Sequence, residues 1–337
     1  MTMTKTLSFG GFLLFALTAH TVQSKTALLV IDVQDCFMEA AGSTSGQDGS
    51  LAVGSTAEII PLINDMRTEK ACLFDVVVRS QDYHTESHIS FGPTHGLDPF
   101  SHLAGKGELP LTCVTPSSGR TEDASCCPTY HITEYNCEER LCPSIATSSQ
   151  RALQDVLSSP ACTICKDSPE ECFETTQAMW TNHCLEEGDS TFPPTLVTQD
   201  SDIIVQKGGN MHVDSYSAFM DNTKKLKTPL DDVLAENGVT TIYVVGIATD
   251  YCVYFSTIDA LALGYDVKLV LDATRGIDTD TVEAAVADML VQGAEIVNAV
   301  DVMAMECPAP EVASDAWTLS AGVVATLVGS AGMAAFV

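Results

Sequence analysis

Cys252 lies in the stretch 241–263, TIYVVGIATDYCVYFSTIDALAL, where an apolar run over 242–247 gives way to Val253, Thr257, Ala260 and Leu261 at helical spacing. A thiol where a strand becomes a helix sits at the positive end of the helix dipole, which lowers its pKa and favours the thiolate that attacks carbonyl carbon. Taken alone, the residue reads first as a small buried core cysteine. Two other reactive side chains fall at predicted strand ends: Asp32 in the apolar run 27–33, and Lys207 directly after the run 202–206. A carboxylate beside a thiol takes its proton, and an ammonium holds both anions and stabilises charge that develops during attack. Without that company, Asp32 would be a turn cap and Lys207 a solvated charge. Asp82, His84 and His88 follow an Asp-x-His-x₃-His spacing that suits a metal, with ordinary loop histidines as the alternative.

Such residues need a scaffold that gathers strand ends. From Lys25 the pattern is strand 27–33, helix 55–70 and strand 73–78, and later strands are predicted at 202–206, 241–247, 266–271 and 295–300. Gly264 stops the helix that Cys252 opens. In the helix before the last strand, Asp280 and Glu283 read as a capping box, Val282, Val286, Met289 and Leu290 as the apolar face, and Gly293 as the stop. Continuous apolar strands alternating with helices predict an α/β fold of three layers, doubly wound, with a mainly parallel sheet. In such sheets the working residues gather beyond the carboxyl ends of the strands.

Residues 92–178 break the pattern. They hold Cys113, Cys126, Cys127, Cys137, Cys142, Cys162, Cys165 and Cys172 among many Pro, Ser and Thr residues, with a short helix near 151–157. This cysteine-rich insertion is expected to have little core of its own and to be stapled by disulfides among its own cysteines. A zinc knuckle at Cys162 and Cys165 is the competing reading. The whole chain has thirteen cysteines, an odd count that leaves one sulfur unpaired, and Cys252 is the candidate; Cys36, Cys72, Cys184 and Cys307 are unassigned.

The 337 residues are 45% hydrophobic, enough for one large domain over 25–308 interrupted by the insertion. A net charge of −29 repels a phosphate backbone, so no nucleic-acid partner is expected, and a solubilising acidic surface accounts for it. Residues 1–24 read as a signal peptide. The tail 309–337 carries an apolar segment without a following Lys or Arg, which reads as a glycosylphosphatidylinositol attachment signal, a transmembrane helix being the alternative. The expected setting is therefore the secretory pathway and the cell surface, with membrane attachment through a C-terminal lipid anchor.

Five ordered motifs go further. LVIDVQDCF, SQDYHTESHISF, WTNHC, VQKGGNMHVDSYSAFMDN and VVGIATDYCV resemble those of the nicotinamidases, within the isochorismatase-like cysteine hydrolases, over about 25–91 and 178–300. The resemblance implies a Cys252, Asp32, Lys207 triad, a cis peptide between Ile247 and Ala248, and an oxyanion hole from the amides of Ala248 and Cys252. It implies Asp82, His84 and His183 as ligands of a divalent metal, zinc first and iron or manganese as alternatives, with His88 a fourth partner directly or through water. Phe37 and Trp180 resemble the family's aromatic pocket walls, and Tyr216 and Tyr251 border the site. The implied reaction is hydrolysis of nicotinamide to nicotinate and ammonia, in a chain compatible with homo-oligomers. An N-carbamoyl amidohydrolase, an isochorismatase and a non-catalytic surface protein on the same scaffold are the rival readings. The chain departs at Cys36, where members commonly carry an aspartate, which removes a carboxylate expected to support Asp32.

Overall fold

The first strand, β1 (Lys25–Ile31), is buried on both sides. Leu28 and Val30 pack into one core and Ala27, Leu29 and Ile31 into another, all fully buried. Successive side chains of a strand point to opposite faces, so a strand covered twice needs apolar residues at every position.

The computed structural model describes residues 24–101, 108–115, 124–132 and 150–308. After β1 come α1 (Ile59–Thr68), β2 (Val76–Asp82) and the short α2 (Gly92–His95). The insertion supplies β3 (Leu109–Val114), β4 (Cys126–Pro128), α3 (Thr129–Ile132), α4 (Gln150–Leu157), α5 (Pro160–Asp167) and β5 (Cys172–Gln177). The chain then returns through β6 (Ile203–Lys207), α6 (Leu230–Glu236), β7 (Val239–Ile247), α7 (Cys252–Leu263) and β8 (Asp266–Arg275). It finishes with α8 (Thr279–Gln292), β9 (Glu295–Val297) and α9 (Ala299–Ala304).

Six strands form one sheet in the order β6-β2-β1-β7-β8-β9, and every pairing is parallel. From β1 the sheet grows outward through β2 to β6; the chain then crosses to β7 on the other side of β1 and grows outward again. The order reverses between β1 and β7, and ligands of open α/β sheets bind at such a switch point. Gly246, at φ +120°, allows the two strands to meet there: a Cβ at this position would lie 2.0 Å from the Ile31 carbonyl oxygen. α1 and α9 cover one face, and α6, α7 and α8 the other. The expected three-layer, doubly wound architecture is thus the observed one.

Several boundaries differ from the sequence reading. β1 ends at Ile31, with Asp32 beyond it at φ 47°. β2 starts at Val76 rather than 73, because Ala71–Leu73 form a 3-10 turn whose Leu73, with Phe74, packs into the core before the strand begins. β9 stops at Val297, since Asn298 and Asp301 make the capping box of α9. α8 is capped by Asp278, which accepts from the amides of Asp280 and Thr281, so the box expected at Asp280 and Glu283 is not formed. Its inward face is Ala285 and Met289, whereas Leu290 is half exposed.

The described part of the insertion is more ordered than its composition suggests. β4-β3-β5 form an antiparallel sheet, and small cores form around Leu109, Leu111 and Val156 and around Val114, Ala161 and Ile164. The first of these is continuous with Ile89, Met179 and Val213 of the main body. Disulfides Cys113–Cys126, Cys127–Cys162 and Cys165–Cys172 tie strands and α5 together, which excludes a zinc knuckle at Cys162 and Cys165. Cys36–Cys184 and Cys72–Cys307 are bridged in the main body, and Cys252 is a free, buried thiol. Cys137, Cys142, the signal-peptide reading apart from Ser24, and the tail 309–337 lie outside the described residues.

Candidate active site

Asp32 leaves the end of β1 and is fully buried. Ser80 of β2 holds it twice: the hydroxyl donates to Asp32 Oδ1 at 2.6 Å and accepts from the Asp32 amide at 3.1 Å. The support expected from a carboxylate at position 36 is therefore supplied by a neighbouring strand. Lys207 closes β6, where the register sets it beside Asp82 of β2. Its Nζ lies 3.0 Å from Asp32 Oδ2, 3.0 Å from Asp82 Oδ1, 2.9 Å from the Ser215 carbonyl oxygen and 3.4 Å from Cys252 Sγ. Cys252 opens α7, just past the switch point. The peptide between Ile247 and Ala248 is cis. The amides of Thr249, Tyr251 and Val253 have backbone partners, while those of Ala248 and Cys252 donate to no backbone carbonyl among the described residues.

Charge in this cluster follows from burial and proximity. Burial pushes the Cys252 thiol well above the usual cysteine range; the Lys207 ammonium opposes this, but Asp32 and Asp82 reinforce it. Burial thus works against the helix dipole, which from sequence favours the thiolate. Burial also raises Asp32, against the pull of Lys207 and with help from Asp82. Burial works against the Lys207 charge, yet Asp32, Asp82 and Cys252 together hold the ammonium well above its ordinary range. A carboxylate of raised proton affinity beside a buried thiol and a fixed cation is a pairing suited to general-base activation.

Next to it three donor atoms converge. Asp82 Oδ2 is 3.0 Å from His84 Nε2 and 3.4 Å from His183 Nε2. His84 Nδ1 donates to the Gly208 carbonyl and His183 Nδ1 to the Thr181 carbonyl, each at 2.8 Å. Because a carbonyl only accepts, both Nδ1 protons are committed, and both Nε2 atoms turn toward the same carboxylate oxygen. Outer hydrogen bonds of this kind orient metal-binding imidazoles. Two imidazoles and a carboxylate make a donor set that fits zinc, iron or manganese. Gly208, at φ +75°, leaves room for it: a Cβ there would come within 2.6 Å of His84 Cε1 and 2.9 Å of Asp82 Oδ1. His88 lies against His84, with ring centroids 4.2 Å apart, but its Nε2 donates to the Asn210 carbonyl at 3.0 Å and its Nδ1 contacts Ser90 Oγ at 2.7 Å. Both of its ring nitrogens are therefore engaged.

Phe37, Trp180, Tyr216 and Tyr251 line one pocket whose polar side holds Asp82, His84, His183, Lys207 and Cys252. Trp180 meets Tyr251 edge-on at 4.8 Å, and its indole N–H donates to Tyr216 Oη at 3.2 Å. Every residue that the resemblance assigns to the triad, the oxyanion hole, the metal set or the aromatic walls falls in this region. Sequence reasoning missed Ser80, and it missed Asp214, Leu51 and Ile277, which also line the pocket. It also missed Gln177, whose Nε2 donates to Tyr216 Oη at 2.8 Å and to Asp214 Oδ2 at 2.9 Å. Leu51 and Ile277 carry no chemical signal, and Ser80 is recognisable only from the β1–β2 register. Asp214 had one available clue, its place between Lys207 and Tyr216 in the quoted motif.

A doubly wound parallel sheet with a buried thiol, carboxylate and ammonium at its switch point is an arrangement suited to hydrolytic chemistry. The Isochorismatase domain family model matches residues 170–301. The nicotinamidase of Acinetobacter baylyi is 29% identical over 280 residues, 82% of this chain and 94% of that protein. The nicotinamidase of Escherichia coli is 26% identical over 80% of this chain and 91% of its own length. Among solved structures, the nicotinamidase and pyrazinamidase of Acinetobacter baumanii has a TM-score of 0.56 at 29% identity, covering 83% of this chain and 98% of that one. The yeast nicotinamidase shares the fold with a TM-score of 0.58 at 22% identity, over 81% and 99% of the two chains. The chain thus resembles the isochorismatase-like hydrolases, and within them the nicotinamidases.

Proposed function

We propose that this protein is a nicotinamidase that hydrolyses nicotinamide to nicotinate and ammonia through a thioester on Cys252. The observation that carries the reading is the position of Lys207 Nζ, within 3.4 Å of Cys252 Sγ and 3.0 Å of both Asp32 and Asp82, so that one cation joins the reacting thiol to the metal-ligand cluster. Asp32 takes the Sγ proton as sulfur attacks the carboxamide carbon. The amides of Ala248 and Cys252 receive the charge that develops on oxygen. Asp32 returns the proton to the departing nitrogen, and ammonia leaves. Water, deprotonated by the same carboxylate, then attacks the thioester, releasing nicotinate and restoring the thiol. Lys207 keeps its charge throughout and balances each anion in turn. Asp82, His84 and His183 would hold the metal, whose contribution is to bind the pyridine nitrogen and fix the ring. Phe37, Trp180 and Tyr251 supply apolar walls for the ring and exclude water.

The disulfides in the main body and insertion support a secretory setting, since such bonds persist in oxidising compartments. Ammonia release from nicotinamide by the purified protein, with and without a chelator, tests the functional reading. Release that the chelator suppresses is expected, and no release from the metal-loaded protein would overturn it.

A further inference from the structure

Among the described residues, one disulfide does something the others do not. Cys72–Cys307 and the bridges of the insertion fasten elements to one another, whereas Cys36–Cys184 joins two segments that each carry a wall of the pocket. Both of its cysteines are completely buried. Cys36 precedes Phe37 in a single 3-10 turn, donates its amide to the Asp189 carbonyl at 2.9 Å, and accepts from the amide of the pocket residue Leu51 at 2.9 Å. Cys184 follows His183, and its carbonyl accepts from the His84 amide at 3.0 Å. Its own backbone is left-handed, at φ 46°, a conformation a non-glycine residue keeps only where its surroundings impose it. The Phe37 and His183 rings meet with centroids 5.6 Å apart. One covalent bond thus sets a pocket wall, one imidazole ligand and the backbone of a second relative to each other.

The triad has separate anchors. Asp32 is held by Ser80 and Lys207, and Lys207 by the Ser215 carbonyl. We propose that Cys36–Cys184 is a positioning disulfide of the active site, which holds His183 and Phe37 in the arrangement that binds metal and ring and takes no part in the chemistry at Cys252. The inference rests on the nicotinamidase reading for its substrate, but its metal arm stands without it.

The test is the Cys36→Ala/Cys184→Ala variant, compared with wild type in two measurements. Zinc affinity of the metal-free protein is read by competition with a chromogenic chelator, and steady-state kinetics are read from ammonia release. Loss of an orienting group beside a metal ligand is expected to weaken zinc binding by about 10- to 100-fold. KM should rise by about tenfold with kcat within about threefold of wild type, the pattern of lost substrate binding without lost transition-state stabilisation. A bridge that only stabilises the fold would lower Tm and leave zinc affinity and KM unchanged, and that result would overturn the proposal. So would a fall in kcat at constant KM. Cys36→Val/Cys184→Ala, which refills the space left by sulfur, provides the same two readings should the double alanine variant fail to fold. If wild type releases no ammonia, the functional reading fails and zinc affinity alone decides the role of the disulfide.

Discussion

Ser80 holds Asp32 in place through two hydrogen bonds, one of them to the carboxylate. A hydrogen bond to a charged partner contributes about 1.5–3 kcal/mol, so Ser80→Ala should lower kcat by about 10- to 100-fold while KM stays near wild type. Unchanged kcat in steady-state kinetics would remove Ser80 from the support of Asp32. His95 allows a prediction about pH that is separate from the catalytic cluster. It is buried, its Nε2 donates to the Ile89 carbonyl at 2.8 Å, and burial lowers its pKa from the ordinary 6.5 to about 4. The unfolded chain therefore takes up this proton first as pH falls, and the stability is present above pH 6.5 and lost toward pH 4. The loss should amount to roughly 3 kcal/mol. Denaturant midpoints across that window should fall more steeply for wild type than for His95→Gln, and parallel curves would contradict it. At this scale the sequence was informative where a reactive type met a strand end, as at Asp32, Lys207 and Cys252. It was silent on Ser80, whose role exists only through strand register. It could not register the burial of Cys252 among carboxylates, which opposes the local dipole.

The elements were legible where an apolar run stopped at a reactive residue. β6 and β7 end within a residue or so of their predicted limits because Lys207 and the ATD turn interrupt them. β2 was displaced because Leu73 and Phe74, apolar enough to look like strand, pack from a turn. The strands of the insertion gave no periodic signal, since cysteine pairs and short antiparallel partners hold them. The junction after β6 yields a prediction that belongs to this scale. Gly208→Ala would force its Cβ into the Asp82 and His84 side chains. Bound metal by elemental analysis should fall and KM should rise, with far-UV circular dichroism unchanged. Full metal occupancy in that variant would show that the close approach does not matter.

At the scale of the whole molecule, the sheet reversal between β1 and β7 brings together residues 32, 207 and 252, which no local pattern relates. The topology was readable from alternating strands and helices, but the closure of the chain by Cys72–Cys307 was not, because disulfide connectivity is not encoded in spacing. That bridge lies away from the pocket and spans 235 residues. Cys72→Ser/Cys307→Ser should cost about 2–4 kcal/mol of stability, seen as a lower Tm, with kcat and KM unaffected. A change in KM instead would mean that the C-terminal end of the fold shapes the pocket. The central claim is that Cys252 is the nucleophile of an amide hydrolysis, and ammonia release from nicotinamide by wild type and by Cys252→Ala, both folded and metal-loaded, tests it most directly. Turnover by wild type with a loss of about a thousandfold or more in the variant is the predicted result. A Cys252→Ala protein turning over within about tenfold of wild type would contradict it.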